Sequence, residues 1–216
     1  MTYDIAIIGA GVSGAAIARQ LSLYNLKIAL IDKEIDVSFG TSKANSGIIH
    51  AGFHSSQKYL KSRLEVQGNL MFDRLQKELG FPFKRVGILV AAFNEEELKH
   101  IQILYQQGID NGVIGIEICS RERIFDLEPK LNTDIIGGLH APNGGIIEPY
   151  RFVFSLVESA LKNGVKLFLN FEVNKAERID NAYLIKSADG NMIKAKYVIN
   201  AKWNTAFCKL IDGHNI

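Results

Sequence analysis

Tyr3-Asp4-Ile5-Ala6-Ile7-Ile8 runs directly into Gly9-Ala10-Gly11-Val12-Ser13-Gly14, and the reading of this stretch decides the fold. The first six residues are an apolar run of strand length, and the glycines form a GxGxxG string. Val12 to Tyr24 then reads as a helix, with Ala15, Ala16, Ile17, Ala18, Leu21 and Leu23 available for packing. Lys27 to Ile31 (KIALI) is a second apolar strand, ending at Asp32. Two apolar strands joined by a helix require a crossover connection, and hence parallel pairing.

GxGxxG alone is a weak signal, because glycines are common in turns; here its position between a strand and a helix gives it weight. Gly9 permits the tight turn, Gly11 lets a pyrophosphate approach the backbone, and Gly14 lets helix and strand pack closely. The helix start, with Ala10, Val12 and Ser13 between the glycines, offers N–H groups and a partial positive charge to phosphates. Asp32 stands at roughly the 20-residue distance at which an acid meets ribose hydroxyls in this arrangement. Its charge would repel a 2'-phosphate, which disfavours NADP and leaves NAD and FAD open.

Outward from this unit, Phe39 to Gly52 is a polar loop, and Leu60 to Leu79 is an amphipathic helix stopped by Gly80. Arg85 to Phe93 (RVGILVAAF) reads as one strand, followed by a helix capped by Asn94, with Glu95, Glu96 and Glu97 in its first turn. Ser120 opens a short helix that breaks at Glu128-Pro129, and Ile135 to Ile147 holds two short strands around Pro142-Asn143-Gly144-Gly145. Tyr150 to Asn163 is helical with Gly164 as its stop, and Val165 to Leu169 is a strand. Glu172 to Ile179 and Tyr183 to Ser187 form a meander, and Tyr197 to Ala201 (YVINA) reads as a last buried strand.

The 216 residues carry a net charge of only +2, with bases and acids interspersed, which gives no footprint for nucleic acid. No apolar run reaches the roughly 18 residues of a membrane span, and the chain opens on a strand, so it reads as cytoplasmic. Cys119 and Cys208 lack zinc-ligand spacing and read as small buried hydrophobes; no metal site is expected.

Gly40-Thr41-Ser42-Lys43-Ala44-Asn45-Ser46-Gly47-Ile48-Ile49-His50-Ala51-Gly52 follows the Asp32-Lys33-Glu34 turn, and KRVGILVAAF, SRERIFDLEP, APNGGIIEPY and YVINA come in order behind it. In this succession the chain resembles the N-terminal half of the D-amino-acid-oxidase-like flavoenzymes. It is most similar to their glycerol-3-phosphate dehydrogenase and L-2-hydroxyglutarate oxidase branch. The resemblance implies an α/β fold: a Rossmann-like FAD-binding domain (residues 1–80 and 149–216) interrupted by an α+β segment of the substrate domain (residues 81–148), with the family's C-terminal half missing. FAD is the implied cofactor. Gly9, Gly11, Gly14, Thr41 and Ser42 would surround its pyrophosphate, with Ala10, Val12 and Ser13 in the same turn. Asp32 would take the ribose, and Lys33 and the Val173 backbone would meet the adenine, while Ser46 to His50, including Gly47, would approach the isoalloxazine.

The resemblance further implies hydride transfer to flavin N5 from a secondary alcohol of a small anionic substrate, glycerol 3-phosphate first and L-2-hydroxyglutarate second. A base is then needed for the hydroxyl proton, and histidine titrates in the right range. His50 is the first candidate, ahead of His54 and His140. An anionic substrate calls for a cation, and Arg85 is the candidate, because a guanidinium fork matches phosphate or carboxylate. The electron acceptor is left open among quinone, oxygen and a partner subunit, and peripheral contact with the inner face of a membrane is assigned to the family's second half.

The likeness changes at Ala201-Lys202-Trp203-Asn204, where the family's strand runs into Ala-Gly and a helix. Three readings are therefore carried forward: the N-terminal portion of a flavin dehydrogenase or oxidase, a truncated and inactive nucleotide-binding module, and an NAD-dependent enzyme.

Overall fold

The computed structural model describes residues 1–202; Trp203, Asn204 and Cys208 lie outside the described residues. In chain order the elements are β1 (Thr2–Ile8), α1 (Val12–Leu21), β2 (Ile28–Ile31), β3 (Ile48–Ile49), α2 (Leu60–Leu79), β4 (Phe83–Arg85), β5 (Ile88–Ala92) and α3 (Glu95–Asn111). There follow β6 (Glu117–Ser120), α4 (Arg121–Leu127), β7 (Gly137–Ala141), β8 (Gly145–Ile147), α5 (Pro149–Lys162), β9 (Lys166–Phe168), β10 (Val173–Ile179), β11 (Ala182–Ser187) and β12 (Met192–Asn200). The chain forms two compact units, Met1–Ser46 together with the chain from Pro149 onward, and Gly47–Glu148. The first division thus falls at Ser46/Gly47 and not at residue 80, because α2 packs on α3 within the second unit.

The first unit is built on one six-stranded sheet in the order β10-β11-β12-β1-β2-β9. β1 pairs in parallel with β2 and β12, and β2 in parallel with β9. All four residues of β2 are buried, as a strand covered on both faces requires. α1 and α5 pack on each other. Pro149 opens α5, where its missing N–H costs nothing, and Phe152, Val153, Leu156, Val157 and Ala160 form the buried face.

β12 departs from the expectation of a short, fully buried strand. It spans nine residues, and buried Ile193 and Ala195 alternate with exposed Lys194 and Lys196, while Tyr197 is 68% exposed. The cause is its neighbourhood: β12 is antiparallel to β11, which continues to β10 as a meander, and such sheets are commonly covered on one face.

The second unit holds two antiparallel three-stranded sheets, β3-β8-β4 and β5-β7-β6. The single strand read over Arg85 to Phe93 is two strands in different sheets. Gly87 breaks it with φ +76, a left-handed conformation that a side chain disfavours, and the N–H groups of Val86 and Gly87 both donate to the Gly144 carbonyl, at 3.2 and 3.1 Å. The two strands between Ile135 and Ile147 likewise part into different sheets as β7 and β8. Ala51, Phe53, Ile101, Leu104, Leu139 and Ala141 are among the residues of this unit's main core, and Cys119 packs with Ile124 and Ile135 in a smaller one.

Candidate functional site

In the first unit, the C-terminal ends of β1, β2 and β12 open onto one cavity of about 760 Å³. This is where parallel α/β sheets place ligands, in the crevice beyond the strand ends. Gly9 stands at the end of β1, Asp32 at the end of β2, and Asn200 and Ala201 at the end of β12; all four line the cavity. Gly11, Val12 and Ser13 supply the start of α1, and Lys33, Thr41 and Ser42 also line the cavity, whereas Ala10, Gly14, Ser46, Gly47 and Val173, named with them from the sequence, do not.

The turn is built as its glycines require. Gly9 has φ +106, and a Cβ there would stand 3.0 Å from the Ala201 carbonyl oxygen. At Gly14 a Cβ would stand 1.8 Å from the Gly9 oxygen, so Gly14 acts by packing and does not line the cavity. At Gly11 a Cβ would meet Ser42 Oγ at 3.0 Å. That hydroxyl accepts from Val12 N–H at 3.0 Å and thereby caps α1, whose N-cap residue Gly11 has no side chain to do so. A hydroxyl accepting there still has its own proton to donate. No acid sits in the first turn of α1 itself; the nearest carboxylate at its start is that of Asp32, from the end of β2.

Asp32 has a structural part in the turn. Its Oδ2 accepts from Ala10 N–H at 2.5 Å and its Oδ1 from Glu34 N–H at 3.0 Å. The carboxylate thus ties the glycine turn to the end of β2, and each oxygen retains a second acceptor site for a sugar hydroxyl. Ala10 is spent in this tie: it is fully buried, and its carbonyl accepts from Ser38 N–H at 3.1 Å. Ala10 therefore acts behind the cavity wall. Ser46 closes the first unit, and Gly47, with φ +67, opens the second, its carbonyl accepting from Ile147 N–H at 2.8 Å; neither lines the cavity. Val173 is buried in the sheet core, and the β10–β11 register shifts between Val173 and Lys175.

Several lining residues carried no signal beforehand. Ile17 lies one helical turn beyond Ser13, a neighbour that helix geometry supplies. Asn45 Nδ2 donates to the Thr41 and Ser42 carbonyls, each at 3.3 Å, bracing the loop that carries Ser42. Phe39 lines the wall with Lys43 Nζ 4.0 Å from its ring centroid, and Lys202 lines the cavity after β12.

The second unit has its own smaller cavity, about 280 Å³, lined by His50 and His54 among Ile48, Gly87, Ile88, Gly145 and Ile146. The two imidazoles meet edge to face, with ring centroids 5.5 Å apart. Burial pushes the His54 imidazole below the usual histidine range; charge on His50 pushes the same way, and Glu65 opposes it. The His50 carbonyl is held by Asn69 Nδ2 at 2.8 Å, a buried amide that also donates to the Asn143 carbonyl at 2.9 Å.

Arg85 belongs to that same scaffold and does not line the cavity. Its Nε and one terminal nitrogen donate to Asp73 Oδ2 at 3.2 and 2.5 Å, the latter nitrogen also to the Asn69 carbonyl at 2.8 Å. The other terminal nitrogen donates to Asn69 Oδ1 at 2.9 Å and to the Asn143 carbonyl. The guanidinium fork expected to clamp an anion is turned to holding α2, β4 and the loop before β8 together. Asn69 was invisible beforehand because a single amide within an amphipathic helix pattern carries no mark. His140 is also scaffold: its Nδ1 lies 3.0 Å from Glu117 Oε1, which Arg123 pairs with at 3.2 Å, and this bond holds the Glu117 carboxyl below its ordinary range. Among the described residues no group of three or more His, Cys, Asp or Glu is placed to hold a metal, and no helix is long and apolar enough to cross a membrane.

A parallel sheet ending at a glycine turn, with a helix start beside it and an acid at the end of the next strand, is the arrangement of a dinucleotide-binding module. The family model described as FAD dependent oxidoreductase matches residues 4–214, and the chain belongs to that family. It is 50% identical over 198 residues to a glycerol 3-phosphate dehydrogenase of Caloramator mitchellensis, covering 92% of this chain and 41% of that protein. It is 30% identical to the mitochondrial L-2-hydroxyglutarate dehydrogenase of Homo sapiens, covering 92% and 45%. Among solved structures it is similar to the dithionite-reduced L-alpha-glycerophosphate oxidase of Mycoplasma pneumoniae with FAD bound, with a TM-score of 0.87 at 32% identity, covering 92% and 53%. The chain spans about half the length of these relatives.

Proposed function

We propose that this chain is the FAD-binding portion, with part of the substrate domain, of a flavin-dependent dehydrogenase that oxidises the secondary alcohol of glycerol 3-phosphate. The observation that carries the substrate is the 50% identity to a glycerol 3-phosphate dehydrogenase, against 30% to the L-2-hydroxyglutarate enzyme. Bound flavin supplies the hydride acceptor, N5. The chain's own residues do the holding and the proton work. The backbone N–H groups at the start of α1 and the Thr41 and Ser42 hydroxyls bind the pyrophosphate, and Asp32 holds the ribose while fixing the turn through Ala10 and Glu34. Lys33 and the Val173 backbone are assigned to the adenine in this reading; Lys33 lines the cavity, and a register shift follows Val173 in β10.

His50 is the proton acceptor in this reading. It lines a largely apolar cavity, its backbone is pinned by Asn69, and an imidazole can take the hydroxyl proton as the carbinol hydrogen leaves with its electron pair. Arg85 serves this step indirectly, by holding Asn69. Electron delivery goes to quinone, oxygen or a partner subunit, and the place of action is the cytoplasm, with membrane contact, where present, peripheral.

The test is anaerobic addition of each acid to the FAD-loaded protein, followed in the visible spectrum. Glycerol 3-phosphate is expected to perturb the flavin bands at lower concentration than L-2-hydroxyglutarate does; the reverse order would favour the second substrate. Residues 1–216 by themselves are expected to show little or no turnover, since the relatives carry as much chain again. Robust multiple turnover of either acid by this polypeptide would contradict that expectation.

A further inference from the structure

We propose that Phe39 is a binding residue for the adenosine half of the cofactor, its ring serving as the aromatic surface on which the nucleoside packs. The inference rests on the FAD reading above.

Among the described residues that line the cavity of the first unit, Phe39 is the one aromatic. It is 41% exposed, whereas Val37 and Ser38 just before it are each 2% exposed. A single exposed apolar residue means little by itself. The backbone that produces the exposure means more. Ser38 holds φ +67, a left-handed conformation outside glycine, and its buried hydroxyl has no hydrogen-bond partner. Both features cost stability, and such costs gather where a ligand is held. Here they accompany a fixed direction of the chain: Ser38 N–H is tied to the Ala10 carbonyl at 3.1 Å, and the next residue enters the cavity wall.

The same tie points to the part of the ligand that the ring meets. Ala10 N–H donates to Asp32, so Ser38, Ala10 and the acid assigned to the ribose are linked by two consecutive hydrogen bonds. The ring therefore enters the cavity from the side of the adenosine. It is also held in place. Lys43 N–H donates to the Gly40 carbonyl at 3.0 Å, and this turn returns the Lys43 ammonium to one face of the ring, 4.0 Å from its centroid. A cation is attracted to the electron-rich face of an aromatic ring, which restrains the ring before any ligand arrives. Nothing lies within 4 Å of a Cβ on Gly40, so the chain beside the ring leaves room for a ligand. Bases and aromatic side chains pack well because every base has a π face.

The experiment compares the full chain with F39A, F39L and F39Y in titrations with FAD, followed by its fluorescence, and with ADP, followed by calorimetry. Urea denaturation of each variant runs alongside, and the exposed position is expected to leave the midpoint unchanged. F39A is expected to bind FAD and ADP about tenfold more weakly, F39L, which keeps apolar bulk without the ring, about fivefold, and F39Y within about twofold of wild type. Equal affinity of wild type and F39A for both ligands overturns the inference and leaves the FAD reading standing. So does F39L binding as wild type does, because bulk and not the ring then makes the contact. A loss for FAD with ADP unchanged, or wild type that binds FAD and no ADP, assigns the ring elsewhere and overturns the inference. An equal loss in all three variants with a lowered urea midpoint marks a structural role and does the same. Failure of wild type to bind FAD at all overturns both.

Discussion

Gly14 and Gly40 both lie in the glycine-rich part of the cofactor unit, yet their surroundings differ. A methyl group on Gly14 has nowhere to go, because the Gly9 carbonyl would be 1.8 Å away, while nothing lies within 4 Å of one on Gly40. G14A is therefore expected to cost about 3 kcal/mol of stability in urea denaturation, through forced backbone displacement, and G40A to stay within about 0.5 kcal/mol of wild type. Arg85 and Asp73 make a second contrast. The Arg85 bond holds the Asp73 carboxyl below its ordinary value of 3.8, against a smaller opposing effect of burial. A carboxyl whose folded pKa is depressed contributes stability above its unfolded value and loses it as pH falls from there through the folded value. Wild type should accordingly lose stability on acidification from about pH 4 downward, and D73N should lack that portion of the dependence; an unchanged acid limb in D73N would refute the coupling. R85A, which strands the Asn69 Oδ1 acceptor as well, is expected to cost about 2 kcal/mol and to weaken the hold on the His50 backbone.

Elements whose signal is local were legible in the sequence. The β1-α1-β2 unit could be read because each part is a continuous apolar run or a helical pattern bounded by glycines and an acid. α3 was legible for a similar reason: Asn94 Oδ1 accepts from Glu97 N–H at 2.9 Å, and Glu97 Oε2 accepts from Phe93 N–H at 2.6 Å, a reciprocal cap that the residue order announces. N94A is expected to lower stability by about 1 kcal/mol, measurable as a shift in the urea midpoint with unchanged slope. What could not be read was pairing between distant segments. Gly87 looks like any strand glycine until Gly144 is seen to accept from Val86 and Gly87, and only that contact sends β4 and β5 into different sheets. β3 and β6, at two and four residues, are too short to show alternation and exist because β8 and β7 are beside them. The same limit applied to the site. Its glycines, Asp32 and Ser42 were readable from order, whereas the role of Arg85 depended on three partners contributed by other parts of the chain.

At the scale of the molecule, each of the two compact units has a cavity of its own. The first presents a cavity assembled from three strand ends and the glycine turn, and the second a smaller apolar cavity with two imidazoles. The account turns on the first of these holding FAD. The direct measurement is the visible absorption spectrum of the purified chain, with the nucleotide released on denaturation identified by chromatography and, for colourless protein, reconstitution attempted with FAD and then NAD. The account predicts a yellow protein, or one that becomes yellow on reconstitution, releasing FAD. A folded protein that stays colourless with FAD and binds NAD in its place would contradict it.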